Sequence, residues 1–310
     1  MIIRTVLGDI SSDGLGMILG HEHIITGPPP DITDADLRMD SERKACDELA
    51  SFKAAGGSAV VEMTTVDYGR DIAALARISR RSGIHVVAAT GYNKGKFADR
   101  ISSKLSTDQI AHWMLEEVLT GASGTQHRCG VIKAASSLDH AGTHERRVFE
   151  AAAAAHHASG APISTHTEAG TWALEQMQLL GDLGVAPQRV LLGHLDRKPD
   201  IGYLREVAAT GAYMGFDQCG KHKYLPDAER VRLIVELVSD GFARQLIISG
   251  DMARCSSLQS YGGGPGYAHV PTTMVPHLKE AGLGTQDIES LIASNAKRLL
   301  AFEVRPTEVH

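Results

Sequence analysis

Long apolar runs, paired cysteines and an excess of basic residues are all missing from this 310-residue sequence. No apolar stretch approaches the roughly 20 residues that a membrane-spanning helix needs, so no membrane partner is expected. The first residues show no basic segment followed by an apolar stretch and a cleavage site, so nothing predicts secretion. The formal net charge of −6 argues against a nucleic-acid partner and against a polybasic membrane-binding patch.

The cysteines are few and too widely spaced to suggest a disulfide framework or a zinc ribbon. They are Cys46, Cys129, Cys219 and Cys255, and no two of them form a CxxC pair. We therefore expect a cytoplasmic protein in a reducing compartment. A GxGxxG motif after the first predicted strand is also missing, which disfavours a dinucleotide-binding fold.

Eight short strand-like runs alternate with longer helix-like stretches. The runs are rich in Val, Ile, Leu, Ala and Thr, and in order they read GMILGHEH, SAVVEMTT, HVVAATGY, GVIKAAS, PISTHTE, RVLLGHL, GAYMGFD and QLIISGD. Helical stretches such as RDIAALARISRRSG and ERRVFEAAAAAHHASG end in a Gly suited to a helix C-cap. This pattern favours an α/β fold with a single (β/α)8 TIM barrel over a doubly wound open sheet. We expect one domain spanning residues 1–310.

Polar side chains recur where the predicted strands end, which in a barrel enzyme is the end that carries the active site. They are His21 and His23 on the first strand, Lys133 on the fourth, His166 on the fifth, His194 on the sixth and Asp251 on the eighth. Alternation along a strand directs His21 and His23 to the same face. Such residues are costly to bury without partners. Imidazole and carboxylate ligands together suit zinc, manganese, cobalt or iron, so the sequence predicts a metal site.

Taken in order, the motifs GHEH, IK, THTEAG, GHLD and SGDMAR resemble the phosphotriesterase-like group of the amidohydrolase superfamily. The resemblance implies a binuclear centre of two divalent metal ions, for which zinc is our first expectation. It implies that a more buried ion is held by His21, His23 and Asp251. It implies that a more exposed ion is held by His166 and His194.

The resemblance also implies roles for Lys133 and Asp251. Lys133, carbamylated on its amine, would bridge the two ions together with a hydroxide, since a carbamate is an anionic ligand whereas an ammonium repels cations. Two metal ions lower the pKa of a bridging water, and a metal-polarised substrate oxygen stabilises the charge that develops in the transition state. Asp251 is the expected catalytic residue, carrying the hydroxide proton to the leaving oxygen. Glu62 and Glu168 are expected to orient ligand histidines.

The end of the third predicted strand disfavours two substrate classes. Family members that resemble quorum-quenching lactonases carry a Tyr where the stretch TGYNKGKF has Asn93, with Tyr92 one residue early. This departure counts against an acyl-homoserine-lactone pocket and against an organophosphate pocket. Tyr92 and Asn93 nevertheless lie where substrate contacts are expected.

Cations in two later loops point to a phosphorylated substrate. Lys223 and Arg254 match positions that bind a distal phosphate in the branch of the family that opens phosphorylated sugar lactones. Ser257 stands where that branch has an aromatic hydroxyl, and Tyr261 is the expected substitute. Lys221, in the same loop as Lys223, is expected to be a solvated charge.

The leading hypothesis is thus a metal-dependent hydrolase that opens a small, phosphorylated sugar lactone. One alternative is a phosphotriesterase, a carboxylesterase or another lactonase using the same centre. A more remote alternative is a barrel that binds metal and ligand without catalysis, although the complete ligand set argues against a purely structural site. The expected partner is a small molecule, and the family resemblance suggests a homodimer.

Overall fold

The structure, a computed structural model, describes residues 1–304, so the predicted domain end at residue 310 lies outside the described residues. Strands and helices alternate along the described chain. The strands are β1 (Ile3–Thr5), β2 (Gly8–Ile10), β3 (Met17–Glu22), β4 (Gly57–Glu62), β5 (His85–Gly91), β6 (Val131–Ser136), β7 (Ile163–Thr167), β8 (Val190–Gly193), β9 (Tyr213–Phe216) and β10 (Leu246–Ile248). The α-helices are α1 (Glu42–Ala54), α2 (Ile72–Ser82), α3 (Gly95–Ser102), α4 (Thr107–Leu119), α5 (Thr143–Ser159), α6 (Ala173–Asp182), α7 (Ile201–Ala209), α8 (Asp227–Ser239), α9 (Val275–Glu280), α10 (Thr285–Glu289) and α11 (Asn295–Leu300).

Strands β3 to β10 form one parallel sheet in which each strand pairs with its neighbour in the chain. The sheet curls until its two ends meet, where the backbone N–H of Asp251 donates to the carbonyl of His21 at 3.1 Å. Each of these strands overlaps one of the eight runs predicted from the sequence. The TIM-barrel prediction is therefore confirmed.

Apolar side chains fill the barrel interior and the layer between the strands and the surrounding helices. The inner cluster combines side chains from strands all around the sheet, such as Ile18, Val61 and Leu191, with Leu299 of α11. A larger cluster packs the other strand face against the helices. Both faces of the strands are thus buried, which explains why they read as nearly continuous apolar runs.

The helix ends follow the sequence signals. Gly83 and Gly160 end α2 and α5 in the left-handed conformation, with φ of 67° and 82°, as a glycine C-cap requires. The side chain of Asp71 accepts from the backbone N–H of Ala74 and caps the start of α2. Among the described helices, none combines the length and the apolar character that crossing a bilayer requires.

A short antiparallel hairpin, β1–β2, precedes the barrel and was not predicted. Ile3 joins the inner cluster, and Arg4 donates to the carbonyl of Val118 at 2.7 Å while pairing with Asp9. The Arg4–Asp9 pair lies within the hairpin, whereas the contacts of Ile3 and of Arg4 with Val118 join it to distant parts of the chain, which the sequence does not display. The hairpin packs on the barrel away from the strand ends that carry the predicted ligands.

A buried charge network ties together the loops that follow β8, β9 and β10. Arg230 of α8 is fully buried and donates to Asp196 at 2.6 Å and to Asp227 at 3.0 Å. Asp227 also accepts from the backbone N–H of Gly220 and from His269. Burial opposes ionisation of Asp227, but the hydrogen bonds from His269 and Gly220 and the charges of His269 and Arg230 together outweigh it and lower the pKa to about 2. The network therefore holds the rim of the barrel through paired charges.

Replacing Arg230 with Met should destabilise the fold by about 3–5 kcal/mol, because Asp196 and Asp227 would lose the buried cation that pairs with them. Urea unfolding at pH 7 measures the change. Arg232→Met on the same helix is the matched control, since its pairs with Glu229 and Glu236 are exposed and worth at most about 1 kcal/mol. Equal losses in the two variants would contradict the structural role assigned to Arg230.

Candidate metal centre and active site

The six predicted ligands meet at the carboxyl ends of the barrel strands. His21 is the penultimate residue of β3, and His23 lies just beyond the strand. Lys133 and His166 lie on β6 and β7, and His194 and Asp251 follow β8 and β10. The four histidine rings form a continuous row. Ring centroids are 5.8 Å apart for His21 and His23, 4.7 Å for His21 and His194, and 4.6 Å for His166 and His194.

Two groups of side chains bring possible ligand atoms within 4.8 Å of one another among the described residues. One group is the predicted set of His21, His23 and Asp251, in which Oδ1 of Asp251 lies 3.2 Å from Nε2 of His23. The other joins His21 and His194 to Asp217, a residue that the sequence analysis did not single out. The two groups share His21, so the possible ligands form one continuous cluster.

The protonation states of these groups suit a metal. Burial lowers the pKa of His21 to about 4 and that of His166 well below its usual value, so both imidazoles are neutral at pH 7. Burial opposes ionisation of Asp251, but the charge of Lys221 and a hydrogen bond from His23 outweigh it and hold the pKa well below the usual range. Neutral imidazole and ionised carboxylate are the forms that bind metal ions.

A buried imidazole nitrogen without a hydrogen-bond partner also suits a metal site. Nε2 of His21 is buried without a hydrogen-bond partner among the described residues, and its ring is only 1% exposed. Buried polar atoms are normally satisfied. Because Oδ1 of Asp251 lies 3.7 Å from this nitrogen, a cation held between them would satisfy both.

Lys133 lies beside these two residues with its side chain fully enclosed. It is 2% exposed, and its Nζ donates to the carbonyl of Met63 at 2.8 Å. Burial lowers the pKa of the Lys133 amine, which favours the uncharged form. An uncharged amine is the form that reacts with carbon dioxide. The site therefore fits the predicted carbamate, and a carbamate nitrogen keeps one N–H for Met63.

Two buried carboxylates hold the turns that carry His194 and Asp251. Both residues have positive φ, 63° and 46°, which is strained for side chains other than Gly. Asp217 accepts from the backbone N–H of His194 at 3.0 Å and from its Nδ1 at 2.8 Å. Glu22 accepts from the backbone N–H groups on either side of Asp251, those of Gly250 and Met252, at 2.7 and 2.8 Å.

Asp217 and two glutamates orient the imidazoles from behind. Asp217 reaches Nδ1 of both His21 and His194, which leaves their Nε2 atoms for a ligand. Glu168 contacts Nε2 of His166 at 3.0 Å, as expected. Glu62 acts less directly than expected: it accepts from the backbone N–H of Thr64, whose hydroxyl lies 2.7 Å from Nδ1 of His23.

Lys221 is not the solvated charge that was expected. Its Nζ donates to Oδ2 of Asp251 at 2.6 Å, and Gln218 donates to the same oxygen at 2.7 Å. The two carboxylate oxygens of Asp251 thus face different groups: Oδ1 faces the histidines, and Oδ2 faces the loop after β9. The lysine reaches the centre because that loop folds back over the barrel end.

An inner chamber and an outer cavity meet at this centre. The inner chamber holds about 180 Å³ and is lined by the predicted ligands together with Tyr68, Asn93 and Phe97. The outer cavity holds about 470 Å³ and shares His166, His194 and Asp251 with the chamber. The outer volume is typical of a site for a small molecule.

The structure places three of the five predicted substrate contacts in these spaces. Asn93 lines the chamber, and Lys223 and Arg254 line the outer cavity. Tyr92 does not reach either space: it is 1% exposed and its ring packs against Trp113, because alternation after β5 sends neighbouring side chains to opposite sides.

Tyr261 also lies away from both spaces. Its hydroxyl accepts from the backbone N–H of Ser41, and Lys44 lies over its ring at 4.2 Å. It therefore packs on the start of α1 instead of replacing the missing aromatic hydroxyl at Ser257.

Comparisons with a family model and with solved structures point to the same family. Residues 1–300 match the phosphotriesterase family. A lactonase from Listeria monocytogenes of known structure is 34% identical, covers 98% of this chain and 100% of its own, and superposes with a TM-score of 0.94. The phosphotriesterase homology protein from Escherichia coli, solved with phosphate in its active site, is 33% identical over 93% of this chain and 100% of its own, with a TM-score of 0.90.

A phospho-furanose lactonase from Mycoplasmopsis synoviae is 30% identical, and the match covers 97% of this chain and 92% of that protein. These matches cover 97–98% of this chain. The match extends over almost the entire sequence and not over a single motif. The chain belongs to the phosphotriesterase family and is one of its metal-dependent hydrolases.

Proposed function

We propose that this enzyme opens a small lactone that carries a phosphate group, as a phosphorylated sugar lactone does. The observation that carries the proposal is the charge of the outer cavity. Its cationic lining side chains outnumber its carboxylates, which are Glu168 and Asp251. The cations are Lys94, Arg197, Lys221, Lys223 and Arg254. A protein with a net charge of −6 places this local positive charge where an anionic substrate would enter.

Two relatives support the same substrate class. The protein from Mycoplasmopsis synoviae is a phospho-furanose lactonase, and the Escherichia coli structure contains phosphate in its active site. Both proteins are about one-third identical to this one. An anion in the outer cavity of this enzyme agrees with both.

The centre would hold two divalent ions, for which zinc is the first choice. His21, His23 and Asp251 would bind one ion, His166 and His194 the other, and a carbamate on Lys133 would serve both. When bound, the ions would supply an acidified water and a Lewis acid for the carbonyl oxygen.

Asp251 is suited to move the proton of the attacking water. Its Oδ2 faces the outer cavity, where Lys221 and Gln218 hold it in a fixed direction. In our proposal the carboxylate accepts that proton as water adds to the lactone carbonyl. It returns the proton to the ring oxygen as the C–O bond breaks, which completes hydrolysis to a hydroxy acid.

A neutral phosphotriester or carboxylic ester is the alternative substrate for the same centre. Such a substrate has no negative charge to offer Lys223, which is exposed and has no ion-pair partner among the described residues. The cavity charge therefore favours the phosphorylated lactone. A cytoplasmic location and a homodimer stay predictions from the sequence.

Phosphorylated sugar lactones should be hydrolysed with kcat/KM at least about tenfold above their unphosphorylated counterparts, since one charged hydrogen bond contributes about 1.5–3 kcal/mol. Lys223→Ala should remove about tenfold of that preference, mainly through KM. A pH-indicator assay on zinc-loaded enzyme measures both. Lys279→Ala, an exposed lysine on α9 outside both cavities, is the control. Equal rates on the two lactone classes, or faster hydrolysis of phosphotriesters, would contradict the proposal that the substrate is a phosphorylated lactone.

Asp251→Asn should lower kcat by about 10²–10⁴-fold, because the amide cannot accept the proton. Far-UV circular dichroism should remain unchanged, and metal content must be measured alongside. The exposed Asp240→Asn, whose carboxylate pairs with Arg205, should keep full activity. Wild-type turnover in a metal-loaded Asp251→Asn enzyme would rule out the proton-transfer role.

Lys133 should carry a carbamate in the zinc-loaded enzyme, because burial lowers the pKa of its amine and so raises the uncharged fraction at neutral pH. Protein prepared in ¹³C-bicarbonate should show a carbamate carbonyl resonance by ¹³C NMR. The signal should be lost in Lys133→Met. A zinc-loaded wild-type enzyme without the resonance would refute the modification.

A further inference from the structure

The cations of the outer cavity differ in whether a carboxylate already neutralises them. Lys94 pairs with Glu168, and Lys221 pairs with Asp251 at 2.6 Å. These two pairs use both carboxylates that line the cavity. Lys94 and Lys221 therefore add little net charge to the space that a substrate anion would enter.

Arg254 is also paired with carboxylates, which lie in the loop that follows β3. Its Nη1 lies 2.7 Å from Asp34 and 3.2 Å from Asp36, and the hydrogen bond from Arg254 lowers the pKa of Asp34. The backbone N–H and the hydroxyl of Ser256 each donate to Asp36 at 2.7 Å. One guanidinium between two carboxylates leaves this corner with a net negative charge, which repels a phosphate.

Arg197 and Lys223 are the lining cations that have no such partner. Neither forms an ion pair or a side-chain hydrogen bond with another residue of the described chain. Both instead lie over the ring of Tyr224, with Arg197 at 3.8 Å and Lys223 at 4.8 Å from its centroid. A cation–π contact at an exposed ring contributes only about 0.5–1 kcal/mol. The positive charges of Arg197 and Lys223 therefore stay largely uncompensated and can attract an anion.

We propose that Arg197, acting with Lys223, binds the phosphate of the substrate, and that Arg254 does not. This inference rests on the proposed function and deepens it by naming the subsite. The planar guanidinium of Arg197 offers a fork of N–H donors suited to two phosphate oxygens, whereas Lys223 contributes a point charge.

The position of Arg197 in the chain places this subsite beside the centre. Arg197 lies three residues after His194, and its backbone N–H donates to the His194 carbonyl at 3.1 Å. A short 3₁₀ turn holds the two residues together. A lactone whose phosphate binds Arg197 therefore has a limited reach to the reacting centre, which makes Arg197 a determinant of substrate length.

The test compares Arg197→Gln with Arg254→Gln on a phosphorylated sugar lactone and its unphosphorylated counterpart. The readout is the ratio of the two kcat/KM values. We expect Arg197→Gln to lower the ratio at least about tenfold, mainly through KM, and Arg254→Gln to keep it within about threefold. Arg197→Lys should restore part of the ratio, because it keeps the charge without the fork. Lys198→Gln is the control, since Lys198 lies over Tyr203 outside the cavity.

The outcomes separate this inference from the proposed function. A wild-type ratio near one overturns the phosphorylated substrate and the subsite together. A high wild-type ratio that survives Arg197→Gln but falls in Arg254→Gln, or that falls equally in both, overturns the subsite and leaves the proposed function standing. Thermal unfolding would show whether Arg197→Gln is folded. If it is not, Arg197→Lys is the test, and an unchanged ratio of kcat/KM values in that variant would contradict two-point binding of the phosphate by the Arg197 guanidinium.

Discussion

Hydrogen bonds from backbone N–H groups to two buried carboxylates are the interaction on which the candidate centre depends. The turns that present His194 and Asp251 have positive φ, which costs about 1–3 kcal/mol at each residue. Asp217 and Glu22 offset this strain by accepting from the N–H groups of those turns. Without them, the strand ends would relax and the side chains would no longer converge on one point. The main role of these two carboxylates is therefore to hold the turns in place.

The barrel separates reactivity from recognition. The chamber collects neutral imidazoles, an ionised aspartate and a buried lysine, which together suit a cation. The outer cavity is built from loops after β8, β9 and β10, and the Arg230 network joins those loops underneath. Loops can thus change the bound anion while the strands keep the ligand positions. This arrangement is the general advantage of active sites at the carboxyl ends of barrel strands.

The sequence contained enough to predict the eight strands and the residues at their ends, because hydrophobic runs and the ligand motifs are local features. It contained a weak signal for Asp217, a carboxylate directly after the seventh strand, that was overlooked. It could not predict that Lys221 pairs with Asp251 or that Arg254 pairs with Asp34, since those contacts join loops far apart in the chain. Tyr92 shows the limit of motif spacing, because a shift of one residue on a strand reverses the side that it faces.

The contact between Arg254 and the loop after β3 has an evolutionary consequence. Asp34 and Asp36 line neither cavity, yet they decide whether Arg254 faces an incoming anion as a free cation or as a neutralised one. Mutations at these two surface positions would leave the barrel and the metal ligands intact while changing the charge at its entrance. Substrate range in such an enzyme can therefore drift through residues that never touch the substrate.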